Sequence, residues 1–96
     1  MKNKYEVMYI IRPNVEDEQV KNIIERVNNI FTSNDSDVVE LKEMGLKDLA
    51  YEIDHHKKGY YVWLLVNANH QALEEFNRLI RINENVIRFI VVKEGE

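Results

Sequence analysis

The chain has 96 residues, no cysteine, and 13 Lys plus Arg against 17 Asp plus Glu, for a formal net charge of −4. This length predicts one domain over residues 1–96, because two cores would each be too small to offset their own ordering. The missing cysteine excludes disulfide frameworks, thiolate zinc sites and cysteine nucleophiles, and the acidic balance argues against a module that grips nucleic acid by charge alone.

Lys4 to Ile11 is rich in aromatic and branched residues and stops at Arg12-Pro13-Asn14. It reads as a strand, and its apolar character on both sides of the pleat makes it a central one. Asn14 is the expected helix N-cap, with Glu16, Asp17 and Glu18 in the first turn, where the helix dipole favours negative charge. Val20, Ile23, Ile24, Val27, Ile30 and Phe31 then recur at spacings of three and four, the stripe of an amphipathic helix. After a polar loop over residues 32–37, Val38 to Ile53 is strand-like, with Gly45 marking a bulge or bend. Asp54 to Lys58 reads as a polar turn closing at Gly59, and Tyr60 to Val66 is the strongest strand. Asn69 is a second expected N-cap, ahead of a helix marked by Ala72, Leu73, Phe76, Leu79 and Ile80. Asn83-Glu84-Asn85 is a turn, and Val86 to Lys93 a last strand. No run approaches about 18 apolar residues, so no membrane-spanning helix is expected. The start, Met1-Lys2-Asn3-Lys4 before an apolar run broken by Glu6 and Arg12, lacks the pattern of a signal peptide.

The order β-α-β-β-α-β is that of an α+β, ferredoxin-like split βαβ fold. Right-handed crossovers give a four-stranded antiparallel sheet in the order 4-1-3-2, with both helices on one face. The other face should meet water. Glu6 marks Met8 and Ile10 as outward-facing in the first strand, by the period of two. Tyr61, Trp63 and Leu65 are the preferred outward set of the third strand, and Arg88, Ile90 and Val92 point outward in the fourth. Met8, Ile10, Tyr61, Trp63, Leu65 and Ile90 would form an uncovered apolar patch, the mark of an interaction surface. The competing explanation is cover by a second copy or by a terminal segment.

Antiparallel pairing collects basic residues at the two ends of the sheet. Lys2 and Lys4 should lie near Lys93, and Arg12 near Lys57, Lys58, Arg88 and Arg81. Singly these are ordinary solvated charges; together they are candidates to contact phosphates, with nearby Tyr and Trp available to stack on unpaired bases. Catalysis has little support. His55, His56 and His70 have no metal-ligand spacing, and no phosphate-binding loop or hydrolase motif occurs. The acids Glu16-Asp17-Glu18 and Glu74-Glu75 are explained by helix capping and solvent exposure.

Three segments together carry a specific resemblance: residues Tyr5 to Asn14; Gly45 to Ile53 with its Leu49-Ala50-Tyr51 run, followed by Lys57-Lys58-Gly59-Tyr60-Tyr61; and Ile80 to Arg88 with Asn85-Val86-Ile87-Arg88. The chain resembles the bacterial small-subunit ribosomal protein S-six (S6) family from Tyr5 to Lys93. Where that family usually has basic residues before Leu-Ala-Tyr, this chain has Leu46-Lys47-Asp48, so Lys47 is the one basic position carried over. The resemblance implies a non-enzymatic protein of the cytoplasmic ribosome, without cofactor or metal. It also implies partners: the central domain of small-subunit ribosomal RNA and the basic ribosomal protein S-eighteen, held as a heterodimer. Two other readings of the same topology stay open: a regulatory domain that binds a small metabolite or dimerises through its sheet, and a single-strand RNA reader. The first lacks a glycine-rich first loop; the second lacks the Lys/Arg-Gly-Phe-Gly-Phe type of run on the third strand.

Overall fold

The computed structural model describes residues 2–53 and 55–94. The elements are β1 (Asn3–Ile11), α1 (Asp17–Thr32), β2 (Asp37–Ile53), β3 (His56–Ala68), α2 (His70–Arg81) and β4 (Val86–Lys93). The strands form one antiparallel sheet in the order β2-β3-β1-β4, the expected arrangement read from the other edge. The apolar stripe of α1 is buried at all six expected positions, from Val20 to Phe31. It packs with Val7, Tyr9 and Ile11 of β1, Val62, Leu64 and Val66 of β3, and Ala72, Phe76 and Ile80 of α2. Phe76 is at the centre, its ring 5.5 Å from that of Phe31 and 5.8 Å from that of Phe89, the latter edge-on. The Tyr9 hydroxyl is buried there without a protein hydrogen-bond partner among the described residues. Burial, then Glu43 and Tyr60, pushes its ionisation far above the ordinary tyrosine range.

Two elements start two or more residues from where they were expected. Helix α1 begins after Glu16, which makes no side-chain cap bond, not after Asn14. Val15 and Val20 then stand at the two positions of a hydrophobic staple; Val20 is buried in the core and Val15 packs against it, partly buried. Packing Val15 against the core fits a helix start two residues later than Asn14 would give. Strand β3 starts at His56 rather than Tyr60, so residues expected to form a polar turn are strand. Ile53 pairs with His56 across a tight turn in which His55 has φ 67°; Asp54 itself lies outside the described residues. Gly45 has φ 83° at a register shift in the β2–β3 ladder, the expected bulge.

Asn69 is the N-cap of α2 as expected, and it does more than cap. Its Oδ1 accepts from the Ala72 N–H at 2.8 Å, and its Nδ2 donates to the Asn34 carbonyl at 2.9 Å. Its own N–H donates to Oγ of the buried Ser36. One residue therefore fastens the α1–β2 loop to the start of α2. Asn69→Ala should lower the unfolding free energy by about 1–2 kcal/mol. Asn69→Asp, which keeps the cap acceptor but loses the donor, should fall between that variant and the parent in denaturant titrations.

Candidate partner and nucleic-acid interface

The register sets three rows across the open face, each running β3, β1, β4. They are Leu65–Glu6–Val92, Trp63–Met8–Ile90 and Tyr61–Ile10–Arg88. The expected outward set of β3 is therefore the observed one. Tyr61, Trp63, Leu65 and Met8 are half-buried, and Ile90 and Val92 are exposed at 54% and 43%. Glu6, Met8, Trp63, Ile90 and Val92 line a shallow hollow of about 180 Å³. On its β2 side, Lys42 Nζ lies 5.3 Å from the Trp63 ring centroid and 3.8 Å from Glu40.

Ile10 is a correction. It lies on the open face but is only 8% exposed, so it is not available to a partner as expected. The hairpin that joins β2 to β3 runs past the sheet and folds back over this third row. Leu49 and Ile10 both close on Gly59, where an added Cβ would overlap Ile10 Cγ2. Further along, Tyr51 reaches across to β4. Arg88 Nη1 donates to the Tyr51 hydroxyl at 2.9 Å, and the guanidinium lies 5.7 Å from the ring centroid. The hairpin is thus a strap across one end of the face. Leu49, Tyr51 and Gly59 were not among the expected interface residues. The signal was the apolar and aromatic pair Leu49 and Tyr51 amid charged neighbours; alternation alone does not fix their side, because the β2–β3 register shifts between Asp48 and Ile53.

The basic residues gather at two ends, as the pairing required. At one end Lys93 pairs opposite Tyr5, and the Glu94 N–H donates to the Lys4 carbonyl. Lys2 stands 3.9 Å from Asp35. The other end holds the exposed Lys47, Lys57 and Lys58 of the hairpin, with Lys58 at 4.0 Å from Asp48. There Arg12 is half-buried. Its Nε donates to Asn85 Oδ1 and its N–H to the Asn85 carbonyl, both at 2.8 Å, which fixes the turn before β4 and leaves its other guanidinium donors without a partner among the described residues. Arg81 and Arg88 reach this end on opposite faces. Arg81 lies over the core-facing ring of Phe89, while Arg88 is on the open face in the strap. Nearby, the Tyr60 hydroxyl donates to Glu43 Oε1 at 2.9 Å; burial, then that bond and the charges of Glu43 and Asp17, raise its ionisation. Among the described residues no cluster of His, Asp and Glu has the geometry to hold a metal ion.

The family profile described as Ribosomal protein S6 matches residues 4–93. The chain is 55% identical to the small ribosomal subunit protein bS6 of Phytoplasma mali over 91 residues, covering 95% of this chain and 97% of that protein. It is 54% identical to bS6 of Acholeplasma laidlawii over 93 residues, covering 97% and 98%. The crystal structure of 30S ribosomal protein S6 from Thermotoga maritima superposes with a TM-score of 0.92 at 29% identity, covering 98% of this chain and 89% of that one. A split βαβ sheet with one face open, matched over nearly its full length by these relatives, leaves one assignment: the chain belongs to the ribosomal protein S6 family, and is a structural, non-enzymatic protein of the small ribosomal subunit.

Proposed function

We propose that this protein binds the central domain of small-subunit ribosomal RNA together with the basic ribosomal protein S-eighteen. The partner would use the open face around Trp63, Met8, Leu65, Tyr61 and Ile90. The RNA would meet Lys2, Lys4 and Lys93 at one end, and Lys47, Lys57, Lys58, Arg12, Arg81 and Arg88 at the other. The observation that carries this reading is the separation of the two surfaces. An apolar hollow occupies the middle of the face, and most of the candidate cations lie toward the ends of the sheet. A chain with net charge −4 is poorly suited to hold RNA alone, since non-specific affinity rests on neutralised phosphates. Supplied with a basic partner, it needs only to present a rigid plate and a few well-placed cations. Family membership favours this reading over a metabolite-binding regulatory domain.

The test is RNA affinity measured by fluorescence anisotropy, with and without the partner, across a salt series. We expect binding to tighten by about five- to 150-fold when S-eighteen is present, the usual range of a coupling between two sites. The log of the affinity should fall linearly with log salt, and Lys57→Ala with Lys58→Ala should flatten that slope by about 0.7 to 0.9 for each phosphate no longer neutralised. Equal RNA affinity with and without S-eighteen would overturn the cooperative reading.

A further inference from the structure

A second, larger hollow of about 580 Å³ lies on the helix side of the sheet, away from the open face. Its floor is apolar, made by Ile23 and Val27 of α1 with Leu79 and Ile80 of α2. Arg26 stands on the α1 wall, and Glu84 stands opposite, in the turn between α2 and β4. Both are exposed, and neither side chain has an ion pair or hydrogen bond among the described residues. On the wall with Glu84 is Ile82, at 69% the most exposed large hydrophobic side chain of the described residues. Of the other charges on these elements, Glu18 and Glu25 lie one row outward on α1 and Lys21 further round. Arg78 is paired with Glu75, Arg81 lies over the Phe89 ring, and Arg12 is held by Asn85. A phosphate chain would meet one free cation among three carboxylates, Glu84, Glu18 and Glu25. A protein surface of one sign would leave either Arg26 or Glu84 facing like charge. A second copy matches both. A two-fold axis through the hollow lays each wall against the opposite wall of the other copy, so one surface supplies both halves of every contact.

We infer that this hollow is a self-association surface: a second copy of the chain docks on it about a two-fold axis, with Ile82 of each copy laid in the hollow of the other and Arg26 facing Glu84 in both directions. Ile82 supplies the apolar contact, and the two charge pairs fix the register. One hollow and one projecting side chain per copy make a contact of the small, transient class, so the dimer is weak. It uses the helix layer and leaves the face around Trp63 free.

Sedimentation equilibrium of the full chain alone should show a reversible monomer–dimer equilibrium with a Kd between about 10 and 500 µM. Ile82→Asn should weaken it by at least about tenfold, while its thermal midpoint stays close to the parent's, because the side chain is exposed. Arg26→Glu and Glu84→Arg should each weaken the dimer by at least about tenfold, since each sets like charges opposite one another twice. Mixed in equal amounts, these two variants should form a heterodimer about as tight as the parent dimer: one pair is then the original and the other is the same pair reversed. A charge change that merely harmed folding could not be rescued in this way. A parent that stays monomeric up to about 500 µM, or a mixture that shows no rescue, would overturn the proposal. So would self-association that survives Ile82→Asn; its loss with Trp63→Ala would then place the contact on the open face of the sheet instead.

Discussion

Replacing Phe76 with alanine should lower the unfolding free energy by about 3–5 kcal/mol, the largest effect we expect from any single side chain. The side chain is fully buried. It links three elements, because its ring lies between Phe31 of α1 and Phe89 of β4 while its own backbone belongs to α2. Truncation loses the transfer free energy of the ring, leaves a cavity, and removes one stacked and one edge-on aromatic pairing. Surrounding helices cannot close the gap without moving off the sheet. Against a total stability of about 5–15 kcal/mol for a domain, that loss takes a large part of the whole. The check is guanidinium unfolding followed by far-UV circular dichroism: the midpoint should fall sharply while the slope stays near the parent's. Ile82→Ala is the matching control. That residue is equally apolar in type but 69% exposed, so its effect should stay within about 0.5 kcal/mol. Comparable losses from the two substitutions would mean that Phe76 does not join the helices to the sheet.

Periodicity made the core legible. The spacing of Val20 to Phe31 and of Ala72 to Ile80 places those residues on one side of each helix, and two such stripes need one sheet face between them. A single polar residue, Glu6, was enough to orient β1, and alternation placed Ile90 outward in β4; β3 is apolar on both sides, so its sequence favours no face, and the observed pairing of Met8 with Trp63 decides it. What remained hidden depends on contacts between distant residues. Ile10 has the sequence signature of an open-face residue, and it sits on that face. Its burial comes from Leu49 and the glycine at position 59, which are brought over it only after the β2–β3 hairpin has bent. His56 to Lys58 are polar and looked like a turn, yet both strands of an exposed hairpin arm have little core to face, so nothing required them to be apolar. The clasp of Arg88 by Tyr51 spans 37 positions, and no local pattern encodes it.

Gly59→Ala should destabilise the protein by about 1–3 kcal/mol, and this cost should shrink when Ile10 is made smaller. Gly59 is buried in β3, where no unusual backbone angle calls for glycine; the requirement is space. An added Cβ overlaps Ile10 Cγ2 and sits 3.5 Å from Leu49 Cδ2 and 3.6 Å from the Ile11 carbonyl oxygen. Ile10 cannot swing away freely, because the atom in conflict is on its branched Cβ and the strap covers it. The hairpin must therefore lift. Lifting exposes Ile10 and pulls Tyr51 from Arg88, so amide exchange should rise in residues 49–58 while the α1 stripe stays protected. Ile10→Ala alone should cost about 2–5 kcal/mol through the cavity it leaves. In the double variant, the new methyl at position 59 enters that cavity. The summed losses should then exceed the measured one by about 0.5–3 kcal/mol, the coupling expected of side chains in direct contact. Strict additivity would mean that Gly59 and Ile10 do not share this space, and that the strap is held over the face by the Tyr51–Arg88 clasp alone.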